Sequence, residues 1–107
     1  MRLSVVIPVY NSEKILNTLI NSIKKNIKIK KNLFEIILVN DFSSDNSWKK
    51  ISNLKRNNNF IKAINLRKNY GQHYAIFIGL KFAKGKYIVC MDDDMQHDPR
   101  YINKIVK

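Results

Sequence analysis

Four apolar runs rich in β-branched and aromatic residues punctuate the chain at residues 3–10, 34–39, 60–66 and 87–91, and each is followed by a polar loop and a helix-like segment. The first two carry no alternation of apolar and polar residues, which is the pattern of strands buried on both faces. Pro8 lacks the N–H that a ladder needs, so the first strand is expected to loosen or end there. Strands separated by helices cannot form hairpins. They form a mostly parallel sheet with helices on both faces, a Rossmann-like α/β architecture.

The segments between the runs carry helix signals. Asn11-Ser12-Glu13 reads as an N-cap ahead of Ile15, Leu16, Leu19, Ile20 and Ile23, which recur at helical spacing. Residues 24–31 read as the basic end of that helix and a loop. Ser44 or Asp45 is expected to cap a second helix through Trp48, Ile51 and Leu54, with Asn57, Asn58 and Asn59 ending it. Gly71 is the expected hinge before a third helix with Ala75, Ile76, Gly79, Leu80 and Ala83 on one face. Gly79 and the alanines predict close packing on the sheet. Gly85 is expected to end that helix, and Pro99 to start a last one with Tyr101, Ile102, Ile105 and Val106.

The 107 residues suffice for about one small domain. No apolar run approaches the length of a membrane span and no signal-peptide pattern appears. The single cysteine, Cys90, forms no internal disulfide and reads as a small core residue. The expected location is the cytoplasm, with peripheral placement at the inner face of the membrane compatible with the charge. That net charge is +12. Such an excess fits nucleic acid, an anionic membrane surface or phosphorylated ligands, or simply a solvated lysine-rich surface. The basic residues do not cluster with exposed aromatics as single-strand stacking platforms require, which argues against nucleic acid.

Acidic residues are distributed differently. Asp41, Asp45, Asp92, Asp93, Asp94 and Asp98 lie after the second and fourth strand-like runs. Ligands of open parallel sheets bind beyond the carboxyl ends of the strands, where strand order reverses. Tyr10-Asn11, Asp41 and residues 92–94 are therefore expected to converge on one crevice. On an extended chain Asp92 and Asp94 point the same way, with Asp93 facing elsewhere. Such a pair suits Mg2+ or Mn2+ shared with diphosphate oxygens, and Gln96 offers a further neutral oxygen. The competing reading is a solvated acidic turn that caps the last helix. Asn40-Asp41 reads equally as a base or ribose contact and as an Asx-turn, and Tyr10-Asn11 as a base-flanking pair or a strand end and helix cap. His73 fits a structural place at a helix start better than a phosphate contact, and Trp48 fits packing. No Gly-x-x-x-x-Gly-Lys loop, Gly-x-Gly-x-x-Gly turn or zinc spacing is present.

The segments Ser4-Val-Val-Ile-Pro-Val-Tyr-Asn11, Val39-Asn-Asp-Phe-Ser-Ser-Asp45, Asn69-Tyr-Gly-Gln-His73 and Asp92-Asp-Asp-Met-Gln-His-Asp-Pro99 resemble family 2 glycosyltransferases of the GT-A fold. The last two segments most resemble the branch that uses polyprenyl-phosphate acceptors, such as dolichyl-phosphate mannosyltransferase and undecaprenyl-phosphate aminoarabinose transferase. The resemblance implies a nucleotide diphosphate sugar donor, a divalent metal, inversion at the sugar and a polyprenyl phosphate or glycan acceptor. It implies that Pro8, Tyr10 and Asn11 line the nucleotide pocket and that Asp41 contacts the base. It also implies that Asp94 is the main metal ligand, that Asp92 faces ribose or metal, and that Gln96 supports them. Asn40 stands where the family usually has an acid and Phe42 where it usually has glycine. The implied domain is a single nucleotide-sugar-binding unit over residues 1–107, cut before the acceptor-binding half that would hold any general base. An inactive nucleotide-binding or regulatory module is the alternative, and a basic nucleic-acid-binding domain the more distant one.

Overall fold

The computed structural model describes residues 1–93. Four parallel strands, β1 (Leu3–Val9), β2 (Phe34–Asn40), β3 (Ile61–Asn65) and β4 (Tyr87–Cys90), form one sheet in the order β3-β2-β1-β4. Helices α1 (Leu16–Asn26), α2 (Ser47–Asn57) and α3 (Gln72–Phe82) connect them, with a short 3-10 turn at Lys31–Leu33 before β2. The last expected helix lies outside the described residues.

Side-chain alternation splits the two central strands between two apolar layers. Val5, Ile7 and Val9 of β1 and Ile36 and Leu38 of β2 pack with Leu16, Leu19, Ile20 and Ile23 of α1 and Ile51 of α2. Val6, Ile37 and Val39 face the other way, toward Ala75 of α3. Every residue of β1 and β2 is buried, as an uninterrupted apolar run between two layers requires. Gly79 gives α3 its close approach: a Cβ there would lie 2.4 Å from Val6 Cγ1.

Several expectations are corrected. β1 does not end at Pro8 but runs through Val9. The Val6 carbonyl accepts from Met91 N–H at 3.0 Å, so even-numbered residues face β4. The last β4 pair is Val6 with Cys90. Pro8 thus faces the same edge beyond the end of that ladder, and its missing N–H leaves no ladder bond unmade. Cys90 is exposed rather than core, and Tyr87 and Ile88 are exposed beside it, because β4 is an edge strand with no neighbour beyond it among the described residues. Leu80 of α3 is likewise exposed. Helix α3 ends at Phe82, ahead of Gly85. Gly85 instead passes so close to β1 that a Cβ would sit 2.5 Å from Ser4 N and 2.7 Å from Leu3 C.

At the strand N-terminal end a buried carboxylate ties four segments together. Glu35 Oε2 of β2 accepts from Ser4 Oγ of β1 at 2.5 Å and from Lys84 N–H at 2.7 Å, and Lys62 Nζ of β3 lies 2.5 Å from Oε1. Ser4 Oγ in turn accepts from Gly85 N–H at 2.8 Å. Burial by itself pushes the Glu35 carboxyl up. The hydrogen bonds from Lys62, Ser4 and Lys84 and the charge of Lys62 outweigh it and hold the group below its ordinary 4.5. A carboxyl depressed in the folded state contributes stability that is present above pH 4.5 and is lost as pH falls through the lower folded value. Denaturation midpoints followed from pH 7 downward are expected to fall in that acid range, and the fall is expected to be smaller in Glu35→Gln. An identical acid profile in that variant would remove Glu35 as its source.

Candidate active site

The strand order reverses beside β1, since β2 and β3 lie on one side of it and β4 on the other. A crevice of about 320 Å3 opens at the carboxyl ends of these strands, lined by Pro8, Val9, Tyr10, Asp41, Asn69, Gly71, Gln72, Asp92 and Asp93. Of the residues expected to build the site, Pro8, Tyr10, Asp41 and Asp92 meet here. Asp94 and Gln96 lie outside the described residues.

Asn11 is not in this lining. It adopts a positive φ of 51°, and its side chain joins two loops. Oδ1 accepts from the N–H of Ser44 at 2.8 Å and of Asp45 at 3.3 Å, while Asn11 N–H donates to Ser43 Oγ at 2.9 Å. The Asn11-Ser12-Glu13 signal therefore fastens the loop after β1 to the loop after β2 and does not cap α1, which starts later, at Leu16, without a side-chain cap. The cap position of α2 is Asn46, without a side-chain cap bond, rather than Ser44 or Asp45. Asp45 stands just ahead of it, where Oδ1 accepts Ser47 N–H at 2.9 Å and Oδ2 accepts Glu13 N–H at 3.2 Å. Partial burial pushes its carboxyl up, and the bonds from Ser47 and Glu13 more than reverse this, leaving it below the usual range.

Asp41 is buried on the crevice floor, only 4% exposed. Its own N–H donates to the Val9 carbonyl at 2.8 Å, which extends the β1–β2 ladder by one residue. Both carboxylate oxygens accept backbone donors, Oδ1 from Tyr70 N–H at 2.9 Å and Oδ2 from Gly71 N–H at 3.0 Å. Gly71 has φ +95°, a conformation that side chains other than glycine's rarely adopt. Asn40, beside it, donates from Nδ2 to Asn65 Oδ1 at 2.8 Å and accepts from Ser43 Oγ at 2.6 Å. A neutral amide can do both, whereas a carboxylate cannot donate. Phe42 sits at φ 56° and is exposed, in the left-handed region where glycine is at ease.

Asp93 is the residue that sequence reasoning set aside. Its Oδ2 accepts from Tyr10 N–H at 3.0 Å and from the Ser12 hydroxyl. This carboxylate clasps the end of β4 to the loop leaving β1. Only the β1–β4 pairing brings residue 93 within reach of Tyr10 and Ser12, and local sequence carries no trace of that pairing.

The carboxylate that Asp92 brings to the crevice is a hard oxygen donor, and every polar side chain lining the crevice bears oxygen or amide groups, without thiol or imidazole. Such a set fits a hard divalent cation rather than zinc or copper. Among the described residues no three acidic, histidine or cysteine side chains are grouped closely enough to hold an ion by themselves.

The profile of Glycosyl transferase family 2 matches residues 4–107. The chain belongs to that family. It is 42% identical over 106 residues to the undecaprenyl-phosphate 4-deoxy-4-formamido-L-arabinose transferase of Proteus mirabilis, covering 98% of this chain and 32% of that protein. An uncharacterized glycosyltransferase of Synechocystis is 35% identical over 99% of this chain and 33% of its own length. This family 2 chain thus spans about a third of the curated relatives it matches. Among solved structures, Staphylococcus aureus TarS 1–349 in complex with UDP-GlcNAc superposes with a TM-score of 0.84 at 29% identity, over 98% of this chain and 30% of that one. The mannosyltransferase PcManGT of Pyrobaculum calidifontis, solved with GDP-Man and Mn2+, shares the fold at a TM-score of 0.80 and 19% identity, over 87% of this chain and 27% of that one.

Removing the clasp gives a direct check on the site's construction. Asp93→Ala is expected to lower stability by roughly 1–3 kcal/mol, the usual cost of losing hydrogen bonds to a charged group, and to speed hydrogen exchange at the Tyr10 amide. Denaturant titration and exchange mass spectrometry read these effects, and an unchanged Tyr10 rate would dissolve the clasp.

Proposed function

We propose that residues 1–107 are the donor-binding part of an inverting glycosyltransferase. It takes a sugar from a nucleoside diphosphate sugar and passes it to a polyprenyl phosphate or glycan. The observation that carries this reading is the convergence of Pro8, Tyr10, Asp41 and Asp92, from the ends of three strands, on one crevice at the reversal of strand order. The names of the relatives at about 40% identity support a lipid-phosphate acceptor, and the TarS complexes with UDP and UDP-GlcNAc support a nucleotide-sugar donor.

Each group has a role in this reading. The crevice floor of Pro8 and Val9 and the ring of Tyr10 receive the nucleoside. Asp41 keeps the turn at residues 69–71 in place beside it. Asp92, with Asp94 and Gln96 of the adjoining sequence, would hold Mg2+ or Mn2+. That ion, when bound, neutralises charge on the diphosphate leaving group. Asp93 holds the β1 loop at the crevice rim so that Tyr10 stays in position. A hydroxyl acceptor requires a general base, whereas a lipid phosphate is already an anion and attacks without one. The charge of +12 suits approach to an anionic membrane surface. No helix among the described residues is long and apolar enough to cross a membrane.

Calorimetry with UDP and GDP, with and without Mn2+, tests the reading on the 107-residue chain. Weak nucleotide binding strengthened by Mn2+ is expected, with the Mn2+-dependent part lost in Asp94→Ala while the fold is retained. Transfer is not expected from this chain alone, because it spans about a third of its relatives' length. Binding that ignores Mn2+ and survives Asp94→Ala would sink the metal assignment. Sugar transfer by the 107 residues alone would overturn their restriction to donor binding.

A further inference from the structure

One hydrogen bond in the crevice has no part in the donor contacts above. Gln72 is the first residue of α3, and its Nε2 donates to Asp92 Oδ1 at 2.6 Å. The turn that carries Gln72 is itself anchored from below. Asp41 grips the Tyr70 and Gly71 N–H groups with both oxygens, and Asp41 is fixed in turn by its N–H bond to Val9. A continuous path therefore runs from the end of β1 through Asp41, the backbone at residues 70–71 and Gln72 to the carboxylate at the end of β4. Its last link is a side-chain amide with one acceptor to serve, on a helix start that Asp41 and the Gly71 conformation hold still.

We propose that Gln72 is a positioning residue for Asp92. Its amide restrains one carboxylate oxygen and so sets the plane in which the group faces a divalent cation and the donor diphosphate. The inference rests on the donor-site reading. Its chemistry is that of outer-shell partners in metal sites: a neutral donor orients an oxygen ligand without competing for the cation, and its loss typically costs 10–100-fold in metal affinity. Gln72 itself is exposed, so removing its amide takes no packing from the core.

Two measurements on the 107-residue chain test it. In 15N-resolved NMR, the Gln72 side-chain amide is expected to lie away from the free-amide position and to return there in Asp92→Ala. An amide that does not respond to Asp92→Ala overturns the proposal whether or not any nucleotide binds. In calorimetry, Gln72→Met keeps length and helix propensity but deletes the donor. It is expected to weaken Mn2+-dependent UDP binding by about 10-fold or more, with Tm unchanged. Unaltered Mn2+-dependent binding, or a fall that tracks a lowered Tm, overturns the positioning role. If the wild-type chain binds no UDP with Mn2+, the donor-site reading fails, and the NMR response alone decides whether Gln72 orients Asp92.

Discussion

The pairing of β4 with β1, and not with its chain predecessor β3, is the constraint on which the rest of this structure depends. It sends the chain back across the sheet through α3 and leaves a gap where β1 and β4 hand over to their loops. The register then does specific work. Val6 opposes Cys90, so Asp92 and Asp93, which follow β4, arrive beside the end of β1 and the loop that leaves it. Pro8 faces that gap with no N–H to offer, and the Asp93 clasp spans it. A shift of one residue would turn each of these side chains to the other face of the sheet.

Much of this arrangement is legible in the sequence, and the failures share a cause. The starts of β1 and β2, the basic end of α1, the close approach at Gly79 and the turn at Gly71 all follow from local pattern. Local pattern carries such features because burial on both faces and a positive φ are properties of single segments. Cys90, Leu80 and Asp93 are misread because their environments are set by strand order. An apolar edge strand and an apolar central strand look alike in sequence, and Ile88 is as apolar as Val5 and Val6. The Asn11 signal is misread for a related reason. Asn, Ser and Asp side chains satisfy backbone donors equally well within one loop or across two, and only the fold decides which.

The loop after β2 shows how the departures from the family pattern are accommodated. Asn40 in place of an acid lets one side chain donate to Asn65 while accepting from Ser43, which stitches β2 to β3 at their carboxyl ends. Phe42 in place of glycine retains the left-handed backbone that glycine favours. Asp41 between them is held by N–H groups on both oxygens, so its place does not depend on either neighbour.

Charge follows the same topology. Helices that connect parallel strands run against them, so their C-termini gather at the strand N-terminal end, where Lys24, Lys25, Lys55, Arg56 and Lys81 occupy the last turns and complement the helix dipoles. Their N-termini gather at the crevice, and there the acids find donors. Asp45 takes the N–H of Ser47 at the start of α2, and Asp41 takes those of Tyr70 and Gly71 just ahead of α3. Asp93 takes Tyr10 and Ser12, and Asp92 takes Gln72. Oriented N–H and O–H groups of the described residues thus contribute to the field that compensates these crowded carboxylates. The basic residues of the helix last turns thus belong to the opposite pole.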